Sequence, residues 1–203
     1  MFAWISRVME ATGLWGVALL MFLENVFPPI PSELIMPLAG FAAARGEQSL
    51  LLVVAAGTAG SLAGALFWYW VGRRLGRRRI ERLAERHGRW LTLSPEDVEQ
   101  AIDRFDRHGA VAVLVGRLIP ALRTLISVPA GIARMPLPKF LFFSALGTSV
   151  WTTLLVFAGY LLKDQYEHVS DYLNPLSNLV FAALASWYAW RVFRFKRRTS
   201  DAA

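Results

Sequence analysis

Four ionisable residues sit in stretches otherwise apolar enough for a membrane: Glu24 and Glu33 in ENVFPPIPSELIMPLAG (24–40), Arg117 and Arg123 in GAVAVLVGRLIPALRTLISVPAGIAR (109–134). A charge at mid-helix costs roughly 2.5 to 3.5 kcal/mol on an insertion scale, so such residues must pair or meet water. Arginine is a permanent cation with a planar fork of donors, which suits Arg117 and Arg123 to a phosphate-bearing headgroup. Helix N-termini beside them would add positive dipole ends. Burial favours the neutral form of a carboxylate and a neighbouring arginine the charged form, so Glu24 and Glu33 are expected to take and release protons as substrate comes and goes. Asn25 and Ser32 are further candidate headgroup contacts, although capping and turn bonding compete for the same groups. A purely structural alternative is two buried acid–base pairs that lock the segments together. No catalytic residue, cofactor or metal site is expected: His87, His108 and His168 fall in separate extramembrane segments.

The elements that must position these charges follow from proline and charge spacing. Pro28, Pro29 and Pro31 remove backbone donors, so a helix arriving through Leu19 to Phe27 must stop there. Ser32 can cap a second helix running to about Arg45. The pair forms a hairpin over about 13–44 that is too broken to be one ordinary span, and broken backbone at membrane depth is tolerated where protein or a cavity surrounds it. Residues 109–134 repeat the design around Pro120 with opposite charge. Residues 49–72 and 140–162 are charge-free and long enough to cross a bilayer. Small residues such as Gly57, Gly60 and Gly64 allow close helix approach in the first of them. Residues 176–193 read as a C-terminal span, with Arg191 snorkelling and Trp187 and Trp190 at the interface.

The chain has 203 residues, 55% of them hydrophobic, with no cysteine and a net charge of +7. That composition belongs to an integral membrane protein, here read as one domain. The first residues, with Arg7 and Glu10, are not expected to be a removed signal peptide. Eight arginines crowd Arg73 to Arg89, which places this segment in the cytoplasm against anionic lipid rather than nucleic acid. Ser94, Pro95, Glu96 and Asp97 start a helix whose stripe of Val98, Ala101, Ile102 and Phe105 predicts an amphipathic element to about His108. Arg194 to Arg198 hold the tail, 194–203, in the cytoplasm.

Pro37-Leu38-Ala39-Gly40 resembles Pro129-Ala130-Gly131, and Gly57-Thr58 resembles Gly147-Thr148, at an offset of about 90 residues. The predicted fold is therefore all-α and integral to the membrane: an inverted repeat of two re-entrant helical hairpins, each followed by a transmembrane helix. A first repeat over 1–72 and a second over 109–162 flank the basic amphipathic cytoplasmic segment 73–108. Such repeats occur in transporters whose site lies near the bilayer centre.

The sequence resembles the DedA family of bacterial membrane proteins, related to the VTT or SNARE-associated domain proteins of eukaryotes. The likeness is carried by FLENVFPPIPSE at 22–33, the AG of 39–40 and GRLIPALRTLISVPAG at 116–131, and extends over most of residues 10–162. Many members have PGE or PGD where this chain has Pro31-Ser32-Glu33. The resemblance implies a lipid transporter or scramblase of the bacterial inner membrane, in some members one that recycles undecaprenyl phosphate, with links to proton motive force. Its functional positions would be Glu24, Glu33, Arg117 and Arg123.

The functional expectation is a transporter of phosphate-headed lipid, coupled to protons. A proton-coupled antiporter or uptake system for small ions is the alternative. A membrane-embedded hydrolase or transferase would need a nucleophile with a base, or metal ligands, within the bilayer; the apolar stretches hold no His, Asp or Cys.

Overall fold

The computed structural model describes residues 2–27, 32–91, 95–120 and 122–161. The prolyl tip at 28–31, Ser94, the C-terminal span expected at 176–193 and the tail at 194–203 lie outside the described residues. Seven helices follow in order: α1 (Phe2–Thr12), α2 (Leu14–Val26), α3 (Ser32–Ala44), α4 (Leu50–Leu91), α5 (Pro95–Leu118), α6 (Ser127–Ile132) and α7 (Leu137–Leu161). All regular structure among the described residues is helical.

Gly13, at φ +58, separates α1 from α2. Only glycine reaches this backbone region without steric cost, so the N-terminal stretch becomes a helix of its own rather than the start of α2. Two stretches, Leu50–Gly76 and Leu137–Leu161, are long and apolar enough to cross a membrane. Their exposed faces carry Leu51, Leu52, Phe67, Phe142, Leu154 and Phe157, an apolar surface that lipid rather than water would cover. These two helices coincide with the spans expected at 49–72 and 140–162.

Three boundaries differ from expectation. The basic stretch after the first span is helical and is continuous with α4 as far as Leu91, with a break where Gly76 takes φ +65. Arginine is a good helix former, and no proline stops helix on the far side of Gly76 before Leu91. The amphipathic stretch and the first arm of the second hairpin are likewise one element, α5, kinked at His108 (φ −131, ψ 22). Finally, the second arm of that hairpin, α6, has only 6 residues, against 13 in α3. The chain between α5 and α6 winds through tight turns, with Leu122 and Arg123 both donating to the Ile119 carbonyl at 3.0 Å.

The two halves interlock. In its own half α2 runs alongside α4 in the same direction: the Ala18 backbone lies under Gly60, Asn25 lies against Gly64, and Trp68 Nε1 donates to the Asn25 carbonyl at 3.0 Å. In the same way α5 follows α7, with Gly109 beside Met135 and the Arg117 Cβ against Gly147. The second arms cross over instead. Gly40 and Gly159 let α3 and α7 meet backbone to backbone, and Gly131 and Gly72 do the same for α6 and α4; none of the four has room for a Cβ. The long helices themselves run antiparallel, with Thr58 bonded to Thr152 (3.1 Å) and Tyr69 stacked on Phe140 (4.7 Å between ring centroids).

The match of Gly40 with Gly131 is thus a match of packing seats. That of Gly57 with Gly147 is not: Gly57 faces the side chains of Met21 and Met36, whereas Gly147 lies against the Arg117 Cβ and the Leu114 carbonyl of α5. In this Gly147 matches Gly64, which lies against the Asn25 Cβ and the Phe22 carbonyl of α2. The apolar core repeats the exchange, since Val156 of α7 joins the cluster of α1, α2 and α3, while Ala65 and Tyr69 of α4 join that of α5 and α6.

Candidate functional site

Crossing the second arms over brings Glu24, Ser32 and Glu33, which flank the first break, up to Arg123. Arg123, in the turns after Pro120, reaches the first hairpin: its Nη2 donates to Glu24 Oε1 at 2.5 Å and lies 3.5 Å from Glu33 Oε1, and its Nη1 donates to Ser32 Oγ. The guanidinium lies over the ring of Trp151 on α7, 5.8 Å from the centroid. Glu24 is 2% exposed and Arg123 7%, so this is a buried charge-assisted pair. The Glu33 side chain is 37% exposed and sits at the edge of the cluster.

Arg117 is placed differently. It comes from the last turn of α5, is 1% exposed, and donates from Nη2 to Ser127 Oγ at 2.8 Å, with its guanidinium 6.0 Å from the Phe140 ring. Among the described residues it has no carboxylate within ion-pairing distance, and its Nε and Nη1 have no hydrogen-bond partner. The structural alternative of two separate acid–base pairs is therefore not what forms. One arginine serves both acids, and the other keeps donors free in the interior. Leaving a buried donor without an acceptor costs on the order of 1 to 3 kcal/mol, more for a charged group.

The remaining candidates have defined partners. Ser32 is the first residue of α3, and its hydroxyl accepts from Arg123 instead of standing outside the helix as its cap. Asn25 lies inside α2 and donates from Nδ2 to Ser61 Oγ on α4 at 2.9 Å, so it makes neither a cap nor a turn bond there. All six candidates thus lie on or beside the meeting of the two breaks, with Glu24, Ser32, Glu33 and Arg123 in direct contact.

Arg117 and Arg123 also share a narrow recess with Met21, Ser61, Thr148, Trp151 and Thr152, which in this state has no room for a water molecule. Sequence reasoning passed over the polar residues of that wall. A signal existed: Thr148, Trp151 and Thr152 are spaced to share one face of α7, a polar stripe in an otherwise apolar span. Ser61, in contrast, could be told from a packing residue only by its contact with Asn25. A larger cavity of about 670 Å³, where α2 begins, α3 ends and α4 begins, contains none of the six candidates.

No group of His, Cys, Asp or Glu suited to a metal ion occurs among the described residues. The donor set of the site is two guanidinium groups, an indole and hydroxyls, facing two carboxylates. Such a set can exchange an internal carboxylate for an external anion with phosphate-like oxygens.

The family model described as the VTT domain matches residues 27–161. A protein of Lactococcus lactis subsp. cremoris named alkaline phosphatase-like protein is 44% identical over 89% of this chain and 85% of its own length. Undecaprenyl phosphate transporter A of Staphylococcus aureus is 33% identical over 89% of each chain. Its namesake in Bacillus subtilis is 29% identical over 97% of this chain and 93% of its own length. No solved structure matches the chain.

Proposed function

The chain belongs to the VTT domain family, the DedA group of membrane proteins, and from that premise we propose that it carries a phosphate-headed lipid across the bacterial inner membrane. The cargo class is undecaprenyl phosphate or a phospholipid, in line with the names of the S. aureus and B. subtilis relatives. The observation that carries this reading is the buried guanidinium of Arg117 with two unpartnered donors, beside an Arg123 held by carboxylates that another anion can replace. A cation inside a membrane protein with no carboxylate beside it marks a functional site in membrane interiors.

In this reading the two hairpins are re-entrant and dip from opposite faces, and their tips meet near mid-depth. Glu24 and Glu33 act as internal substitutes for the substrate phosphate while the site is empty. When the headgroup arrives, its oxygens take the donors of Arg117 and Arg123, and Ser32, already bonded to Arg123, is placed to contribute, whereas Asn25 is held by Ser61. Two carboxylates and a phosphate around two arginines would leave excess negative charge in a low-dielectric site, so phosphate entry is coupled to proton uptake by Glu24 and Glu33. The apolar tail stays in lipid along the exposed faces of α4 and α7. Arg73 to Arg89 rest on the anionic cytoplasmic surface, and the C-terminus lies on the same side.

The test is reconstitution of the full chain in liposomes with labelled undecaprenyl phosphate in one leaflet. Accessibility to an impermeant reagent should rise with time, faster when an inward proton gradient is imposed. Arg123→Ala and Arg117→Ala should each reduce the rate to that of empty liposomes. Release of inorganic phosphate, measured in the same vesicles, covers the activity suggested by the name of the L. lactis relative. Ion flux without lipid movement would instead make the protein an antiporter for small ions.

A further inference from the structure

The recess beside Arg117 and Arg123 has an imbalance that the four charges alone do not explain. Three residues that line it carry four buried donor nitrogens without a hydrogen-bond partner: Nε and Nη1 of Arg117, Nε of Arg123 and Nε1 of Trp151. The other buried side-chain atoms without partners among the described residues, Glu24 Oε2, Asn25 Oδ1, Gln48 Oε1 and Ser144 Oγ, belong to residues that do not line it. Indole nitrogen can only donate, and guanidinium can only donate, so the unpartnered groups of this wall call for a ligand rich in acceptors. A phosphate monoester is such a ligand. Trp151 also presents its ring face to the Arg123 guanidinium, and its N–H lies in the plane of that ring. The face therefore steadies Arg123 while the edge remains free to bond.

From this geometry we infer that Trp151 is a substrate-positioning residue, whose indole N–H donates to a phosphate oxygen of the lipid headgroup once Arg123 is released from Glu24. The inference rests on the proposed lipid-phosphate site and adds a neutral donor to it. The two arginines supply charge, which any anion satisfies. The indole supplies one directed bond, which fixes the orientation of the headgroup. Arg117, Arg123 and Trp151 would then hold the phosphate from α5, the tip of the second hairpin and α7 together.

The experiment uses the full chain, wild type and Trp151→Phe, in liposomes with undecaprenyl phosphate for transport and in nanodiscs with a short-chain polyprenyl phosphate for binding. Phenylalanine keeps the ring face toward Arg123 and removes the donor. A hydrogen bond to a charged group corresponds to about a tenfold change or more in affinity, so the half-saturating lipid concentration should rise at least tenfold while the maximal rate stays within about twofold. Trp151→Ala, which also frees Arg123, should lower the maximal rate as well. In nanodiscs labelled with nitrogen-15 at the indoles, the resonance missing from Trp151→Phe should move downfield on adding the polyprenyl phosphate and stay in place with the uncharged polyprenol. If Trp151→Phe does not fold, Trp151→Tyr supplies the assignment. Equal half-saturation for wild type and Trp151→Phe, or an indole resonance indifferent to the phosphate, overturns the inference even where wild type transports. A wild type that moves no lipid but shows the indole shift overturns the transport reading and leaves the anion seat standing.

Discussion

Asn25 and Arg117 occupy comparable seats in the two halves, and they use them in opposite ways. Each lies on a helix that runs alongside the long helix of its own half, with its Cβ against a glycine of that helix, Gly64 for Asn25 and Gly147 for Arg117. Asn25 bonds to Ser61 and helps hold α2 on α4. Arg117 bonds to Ser127 and leaves two donors unpartnered in the interior. One backbone architecture, used twice, thus gives one half a structural amide and the other a cation poorly satisfied by the protein. The difference teaches that similar seats in the two halves can hold either a bonded neutral amide or a charged group with donors to spare.

The strongest way to break this comparison is to remove the shared cation. Arg123→Ala leaves Glu24 buried without its partner and should cost about 3 to 5 kcal/mol of stability, read as a lowered unfolding midpoint in denaturant titrations of the detergent-solubilised protein. Adding Glu24→Gln should return most of that stability without restoring transport. A double variant as unstable as Arg123→Ala would show that the loss comes from packing and not from the stranded carboxylate.

Gly40→Ala and Gly131→Ala test the scaffold itself. Both add a Cβ where backbone meets backbone, and each should destabilise by about 1 to 3 kcal/mol. Similar midpoint shifts are expected from seats that match; a large shift in one and none in the other would mean that the resemblance stops at the sequence.

The smallest effect sharpens the contrast most. Asn25→Ala should cost about 1 kcal/mol through the lost bond to Ser61 while transport persists at a reduced rate. Arg117→Gln removes a buried, incompletely bonded charge, so its unfolding midpoint should stay level or rise while transport disappears. A stable protein that no longer moves lipid is the signature of a functional cation. Falling stability in Arg117→Gln would place Arg117 with Asn25 as a structural group.

Much of this arrangement was legible in the sequence because charges and prolines are conspicuous in apolar surroundings. Glu24, Arg123 and the breaks beside them needed only the cost of burying a charge and the missing donor of proline. The two spans followed from length. What stayed hidden was whatever depends on contact between distant residues. That Arg123 serves both acids while Arg117 serves neither follows from the crossover of α3 and α6, and no local spacing encodes it. Gly57 and Gly60 look alike as letters, and only the face each presents separates a side-chain contact from a backbone seat. The joining of the basic stretch to α4 was obscured by arginines, read for their charge and not for their readiness to extend a helix. The kink at His108 likewise lacks a proline to announce it.

The recess beside Arg117 and Arg123, closed even to a single water, bears on how the resting protein treats the membrane it sits in. A bilayer that stores energy as a gradient tolerates no leak, and a chain of hydrogen-bonded water would conduct protons through any gap between the tips. On the transport reading proposed above, packing this close around Arg117, Arg123, Trp151 and Thr152 would leave no water-filled path for protons until a headgroup entered.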